Sequence, residues 1–131
     1  MIALDTNVLA RYLLNDDPRQ GKVALALLSS SGEFTAPVSV LLELVWVLEV
    51  NGCTREEILK GLRHILGLPN VTMKEMEAVV YALRWYEEGM DFGDAMHLAL
   101  SARDERFVTL DKPMEKMARR LGAFPPVELK K

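Results

Sequence analysis

The chain has 131 residues, half of them apolar and 27% charged, with a formal net charge of −3. That length suits one domain around one core, and no linker, repeat or low-complexity tract interrupts residues 1–131. The acidic balance excludes a uniformly basic nucleic-acid-binding surface, and the lone Cys53 excludes an internal disulfide. No apolar run approaches the roughly 20 residues of a membrane span. Strand-like sequence from Met1 leaves no room for a leader, so a soluble, cytoplasmic protein is expected.

In chain order, Ile2 to Leu4 reads as a short buried strand, and Val8 to Leu14 as a helix with apolar residues on one face. Asp16-Asp17 before Pro18 starts a second helix, Pro18 to Leu28. Phe34 to Val38 is a strand candidate whose Pro37 places it at an edge or end. Ser39 is the expected N-cap of a helix running to Val50, with Asn51-Gly52 as its stop. Thr54-Arg-Glu-Glu57 fits a capping box leading into Ile58 to Leu66. Asn70 to Met73 is a short strand candidate, and Lys74 to Glu88 is helical, closed by Gly89. A helix from Phe92 or Gly93 to Arg103, a strand Arg106 to Leu110, a helix Lys112 to Leu121 closed by Gly122, and an edge strand Val127 to Leu129 complete the chain. Strands separated by helices predict an α/β fold of three layers, α/β/α, with a short, mainly parallel central sheet.

Four acidic residues stand where apolar runs end or helices begin: Asp5, Glu43, Asp94 and Asp111. In an open parallel sheet, sites form beyond the carboxyl ends of the strands. Like charges gathered there are costly unless cations offset them, which points to a metal site. An all-carboxylate oxygen set suits magnesium or manganese; zinc would normally demand histidine or cysteine.

Asp5-Thr-Asn-Val-Leu-Ala-Arg11, Glu43 within its helix, Asp91-Phe-Gly-Asp94-Ala-Met-His97 and Val108-Thr-Leu-Asp111-Lys together resemble the PIN-domain ribonucleases, especially the VapC toxins of prokaryotic toxin-antitoxin pairs. The likeness covers the whole chain, and the order and spacing of the motifs are more specific than any one of them. It implies a metal-dependent endoribonuclease cleaving RNA with one or two Mg2+ or Mn2+ ions, held inactive by a cognate antitoxin, and commonly a homodimer. Asp5 would be the central ligand, Asp94 and Asp111 its partners, and Glu43 a direct or water-mediated ligand tending toward a second ion or the attacking water.

Other residues have plainer readings. Asp91 is expected to cap its helix or to support the pocket from behind. Thr6 and Asn7 are candidates for hydrogen bonds that order the Asp5 carboxylate or a metal-bound water, or equally they open the next helix, and Thr109 is a candidate to face the pocket by strand alternation. His97 is expected to be a partly buried structural histidine. Arg11, Lys112, Lys116, Arg119 and Arg120 are candidates for phosphate contact, or simply the charged faces of helices. Trp46, Tyr81, Trp85 and Tyr86 are expected in core or interface. Two rivals stand beside the nuclease. A phosphatase with Asp5 as nucleophile would usually carry a second Asp where Asn7 stands. A non-catalytic metal-binding interaction module would bind cations without cleavage.

Overall fold

A computed structural model describes residues 1–131. The chain divides into two compact units, Met1–Lys74 and Glu75–Lys131.

In the first unit, β1 (Ile2–Ala3) pairs in parallel with β2 (Phe34–Thr35). The Ile2 and Leu4 N–H groups donate to the Glu33 and Thr35 carbonyls, both at 2.8 Å. Asn70 to Met73 contributes only a single-residue parallel bridge, Val71 against Phe34, flanked by Phe34 N–H to Asn70 O (2.7 Å) and Thr72 N–H to Phe34 O (2.9 Å). Four helices accompany these strands: α1 (Thr6–Leu14), α2 (Pro18–Leu28), α3 (Val38–Val50) and α4 (Arg55–Leu66). Helix α1 packs on α2 and α3, and α3 on α4. Phe34, Leu9, Leu41, Leu44, Ile58 and Leu62 form the fully buried centre of this unit. Gly61 lets α4 lie close to α1, because a Cβ there would meet the Leu13 methyls at 3.3 Å. The Tyr12 hydroxyl and His64 Nε2 join the same pair of helices at 2.7 Å.

In the second unit, β3 (Phe107–Thr109) pairs in parallel with β4 (Val127–Leu129). Its helices are α5 (Met76–Glu87), α6 (Phe92–Leu100) and α7 (Lys112–Leu121). Helices α5 and α6 pack together, and α7 lies against both strands. Val79, Tyr86, Met90, Met96 and Leu98 are fully buried, with Tyr86 edge-on to Phe92 at 5.5 Å.

The α/β class and the parallel pairing are as the sequence predicts, with hydrogen-bonded pairing realised as two two-stranded sheets. Several boundaries differ. Helix α1 begins at Thr6 rather than Val8, because Asp5 caps it and the polar Thr6 and Asn7 occupy its first turn. Helix α3 begins one residue after Pro37, so Ser39 is inside the helix and not its cap; the Pro37 carbonyl opens the helix, accepting from Val40 N–H at 2.9 Å, and no side chain caps it. Helix α6 stops at Leu100, three residues short of Arg103, where the Ser101 hydroxyl turns back onto the His97 carbonyl at 2.8 Å. His97 is exposed, not partly buried. Trp85 and Tyr86 are core and Tyr81 is half-buried, whereas Trp46 is 63% exposed and takes no part in the core. No helix is long and apolar enough to cross a membrane.

The expected capping box is complete: Glu57 N–H donates to Thr54 Oγ1 at 3.1 Å, and Thr54 N–H donates to Glu57 Oε1 at 2.8 Å. These bonds, the backbone donor of Thr54 first, hold the Glu57 carboxyl below its ordinary range. Thr54→Ala is expected to cost about 1 kcal/mol in urea denaturation. A group with a lowered folded pKa stabilises above its unfolded pKa and stops doing so as pH falls through the folded one. The parent should therefore lose stability relative to Glu57→Gln, which has no charge to titrate, on acidification below the usual glutamate range, read from the two denaturation midpoints.

Candidate metal centre

Four aspartates are fixed by the same local rule, Asp17 before α2 and the candidate site residues Asp5, Asp91 and Asp111. Each stands in non-helical conformation just before a helix and gives one carboxylate oxygen to an N–H of the first turn, which would otherwise lack a partner. Asp5 follows β1 and accepts from Thr6 N–H at 2.8 Å. Asp111 follows β3 and accepts from Met114 N–H at 3.0 Å, while its own N–H donates to the Thr109 hydroxyl at 3.0 Å. Asp91 accepts from Asp94 N–H at 3.0 Å, the capping role expected of it. In each case the bond uses one oxygen, and the helix dipole favours the charge that stays there.

Asp94 is different. It lies in the first turn of α6 rather than before it, half-buried. Its carboxyl is held above the usual aspartate range, first by burial and then by the neighbouring charges of Asp91 and Asp111, with His97 partly offsetting them. The second unit thus brings three carboxylates within electrostatic reach of one another, and Asp94 bears the cost.

In the first unit, Glu43 sits in the second turn of α3 with its side chain exposed. Thr6 is 3% exposed, and its hydroxyl has no hydrogen-bond partner in the protein. Asn7 is exposed and lines a cleft of about 300 Å³ between α1 and α2, together with Arg11, Arg19 and Val23. Arg11 is engaged by Asp16 at 2.6 Å.

Within neither unit do three His, Cys, Asp or Glu side chains converge into a group that holds a metal ion by itself. The donor chemistry nevertheless fits a hard divalent cation, since the acids offer carboxylate oxygens only. A cation beside Asp94 would also offset the burial and the neighbouring like charges that together raise its pKa. The orphaned Thr6 hydroxyl beside Asp5 is suited to bind a water from behind. Sequence patterns indicated the acids themselves. A helix cap or a solvated charge is the plainer sequence reading of each acid, and at Asp5 and Asp111 the structure has the cap.

Comparison with curated proteins finds no match. A family model, the PIN domain, matches residues 2–120. The seven helices and short parallel sheets are consistent with the three-layer α/β/α fold of that family. PIN domains are generally nucleases that act on nucleic acid, and they typically use divalent metal ions. With nearly its whole length matched, and with aspartates closing the strands that precede α1 and α7, the chain belongs to the PIN domain family.

Proposed function

We propose that this PIN nuclease is an Mg2+- or Mn2+-dependent endoribonuclease of the VapC toxin type, a single domain acting in the cytoplasm as a homodimer and neutralised by a cognate antitoxin. Asp5, Glu43, Asp94 and Asp111 are the proposed ligands of one or two ions. Thr6, Asn7, Asp91 and Thr109 are proposed to order them. The observation that carries the reading is the match of residues 2–120 to the PIN model, and the raised pKa of Asp94, half-buried and within reach of the charges of Asp91 and Asp111, supports it. The toxin and antitoxin assignment rests on the sequence resemblance.

When bound, divalent ions neutralise charge on the scissile phosphate and lower the pKa of a coordinated water. The protein's part is to present carboxylates, those of Asp5 and Asp111 held in direction by their cap bonds and that of Asp94 half-buried. Asp111 is immobilised at both ends, by its cap bond to Met114 and by the Thr109 hydroxyl, so one oxygen keeps a defined direction. Asp91 ties its carboxylate to the Asp94 backbone and thereby fixes the first turn from which Asp94 projects. Glu43 makes no cap and is exposed, which suits it to deal with water. No side-chain nucleophile is required.

Asparagine caps a helix as well as aspartate does, whereas alanine does not. Asp5→Asn and Asp111→Asn should therefore unfold within a few tenths of a kcal/mol of the parent, and the alanine variants about 1 kcal/mol earlier. Both types should lose at least about 100-fold in RNA cleavage, as expected when charge at a phosphoryl-transfer centre is removed. Activity that tracks stability instead would mean the carboxylates are only caps.

Asp94→Asn should abolish cleavage of a structured-RNA panel in magnesium or manganese, as should a chelator. In metal-free buffer the same variant should be no less stable than the parent. A group with a raised folded pKa disfavours folding once ionised, and that penalty is relieved as pH falls through the raised value. The two denaturation midpoints should therefore draw together on acidification. Folded, metal-loaded parent that leaves every RNA intact would favour the non-catalytic module.

A further inference from the structure

The chain's net charge of −3 means that a nucleic-acid strand must be met by a local cationic feature rather than by the surface at large. Helix α7 supplies one. Its inner side is anchored by Met114 and Ala118, 5% and 2% exposed. At about 100° per residue, Lys112, Lys116 and Arg119 fall within roughly 60° of one another on the side away from Met114. All three are exposed. No hydrogen bond or ion pair engages Lys112 or Lys116, and Arg119 meets Glu115 only loosely, at 3.7 Å with 72% of its side chain exposed. Such a pair is readily exchanged for a phosphate. Arg120 does not belong to this row, since its guanidinium donates to the Glu88 carbonyl at 3.1 Å. Other cations are also committed: Arg11 to Asp16, and Arg106 and Lys130 to Glu128.

The row has a direction. Lys112 is the residue after Asp111, and from there the three cations extend along roughly 10 Å of helix axis, enough to meet more than one phosphate of a single strand. We propose that the outer face of α7, through Lys112, Lys116 and Arg119, is the track that holds the phosphate backbone of a single-stranded RNA leading away from Asp111. The inference rests on the ribonuclease reading. It assigns these side chains to positioning and not to chemistry, because phosphate contacts fix register and carry no sequence information.

The test reads binding, so that it is independent of metal-dependent cleavage. A fluorescently labelled single-stranded oligoribonucleotide is titrated with Asp94→Asn protein, which leaves the strand intact, over a series of potassium chloride concentrations. Lys112→Ala, Lys116→Ala and Arg119→Ala are then added together. The comparison protein carries Lys22→Ala, Lys60→Ala and Lys74→Ala, the same change in net charge placed in the first unit. The track predicts that the α7 triple binds about ten-fold or more weakly and that its plot of log affinity against log salt flattens by about 2, from roughly 0.7 per lost phosphate contact on a single strand. The loss should be similar for strands of different sequence, and the comparison triple should change neither quantity to that extent. Equal effects of the two triples, or weakened binding with an unchanged salt slope, would overturn the track while leaving the nuclease reading standing. Absence of binding by the Asp94→Asn protein itself, at any salt, would instead bring down the RNA substrate and the track together.

Discussion

Much of this molecule follows from one short-range bond, the aspartate carboxylate that accepts an N–H at the start of a helix. Asp5, Asp91 and Asp111 all make it, at 2.8 to 3.0 Å. The bond does two things. It ends an extended segment and starts a helix, which a chain of alternating short strands and helices must do repeatedly. At Asp5 and Asp111 it also fixes a negative charge at a strand-to-helix junction, where the helix dipole favours it and where α/β folds place their sites. Structure and candidate chemistry therefore rest on the same residues, and an Asp-to-Asn change separates them because it keeps the cap and removes the charge.

Asp94 shows the opposite balance. It contributes no cap of its own and is half-buried beside two like charges, an arrangement that disfavours the folded state unless a cation compensates. A residue that costs stability without a structural return is a functional candidate on physical grounds, though buried ion-pair networks also perturb pKa values. The second unit adds a contrasting feature on the other side of Asp111, the exposed cations of α7. Acids for a cation and bases for a phosphate backbone are thus adjacent in sequence, which reconciles an acidic chain with a nucleic-acid substrate.

Punctuated elements were legible in the sequence. Asp17-Pro18 opens α2, Gly122 in the left-handed conformation closes α7, and the Thr54 capping box opens α4. Elements whose ends depend on backbone alone were not. Pro37 starts α3 through its carbonyl, with no side-chain cap. Asn70 to Met73, a short strand candidate by sequence, pairs only through the single bridge of Val71 with Phe34. His97 is exposed because it lies on an outward face of a helix whose neighbouring residues are buried, which composition does not indicate, and Trp46 lies on such a face too, outside the core. The four acids came from motif order and resemblance, whereas the diversion of Arg120 away from the α7 row depends on a tertiary bond.

The most direct test of the metal-centre account is anomalous diffraction from crystals of the protein grown in manganese. The account predicts manganese at about 2.1 to 2.2 Å from carboxylate oxygens of the proposed ligands, Asp94 and Asp111 among them, with the Asp111 cap bond to Met114 retained. Fully loaded crystals with manganese bound only to other residues, or with none bound at all, would contradict it.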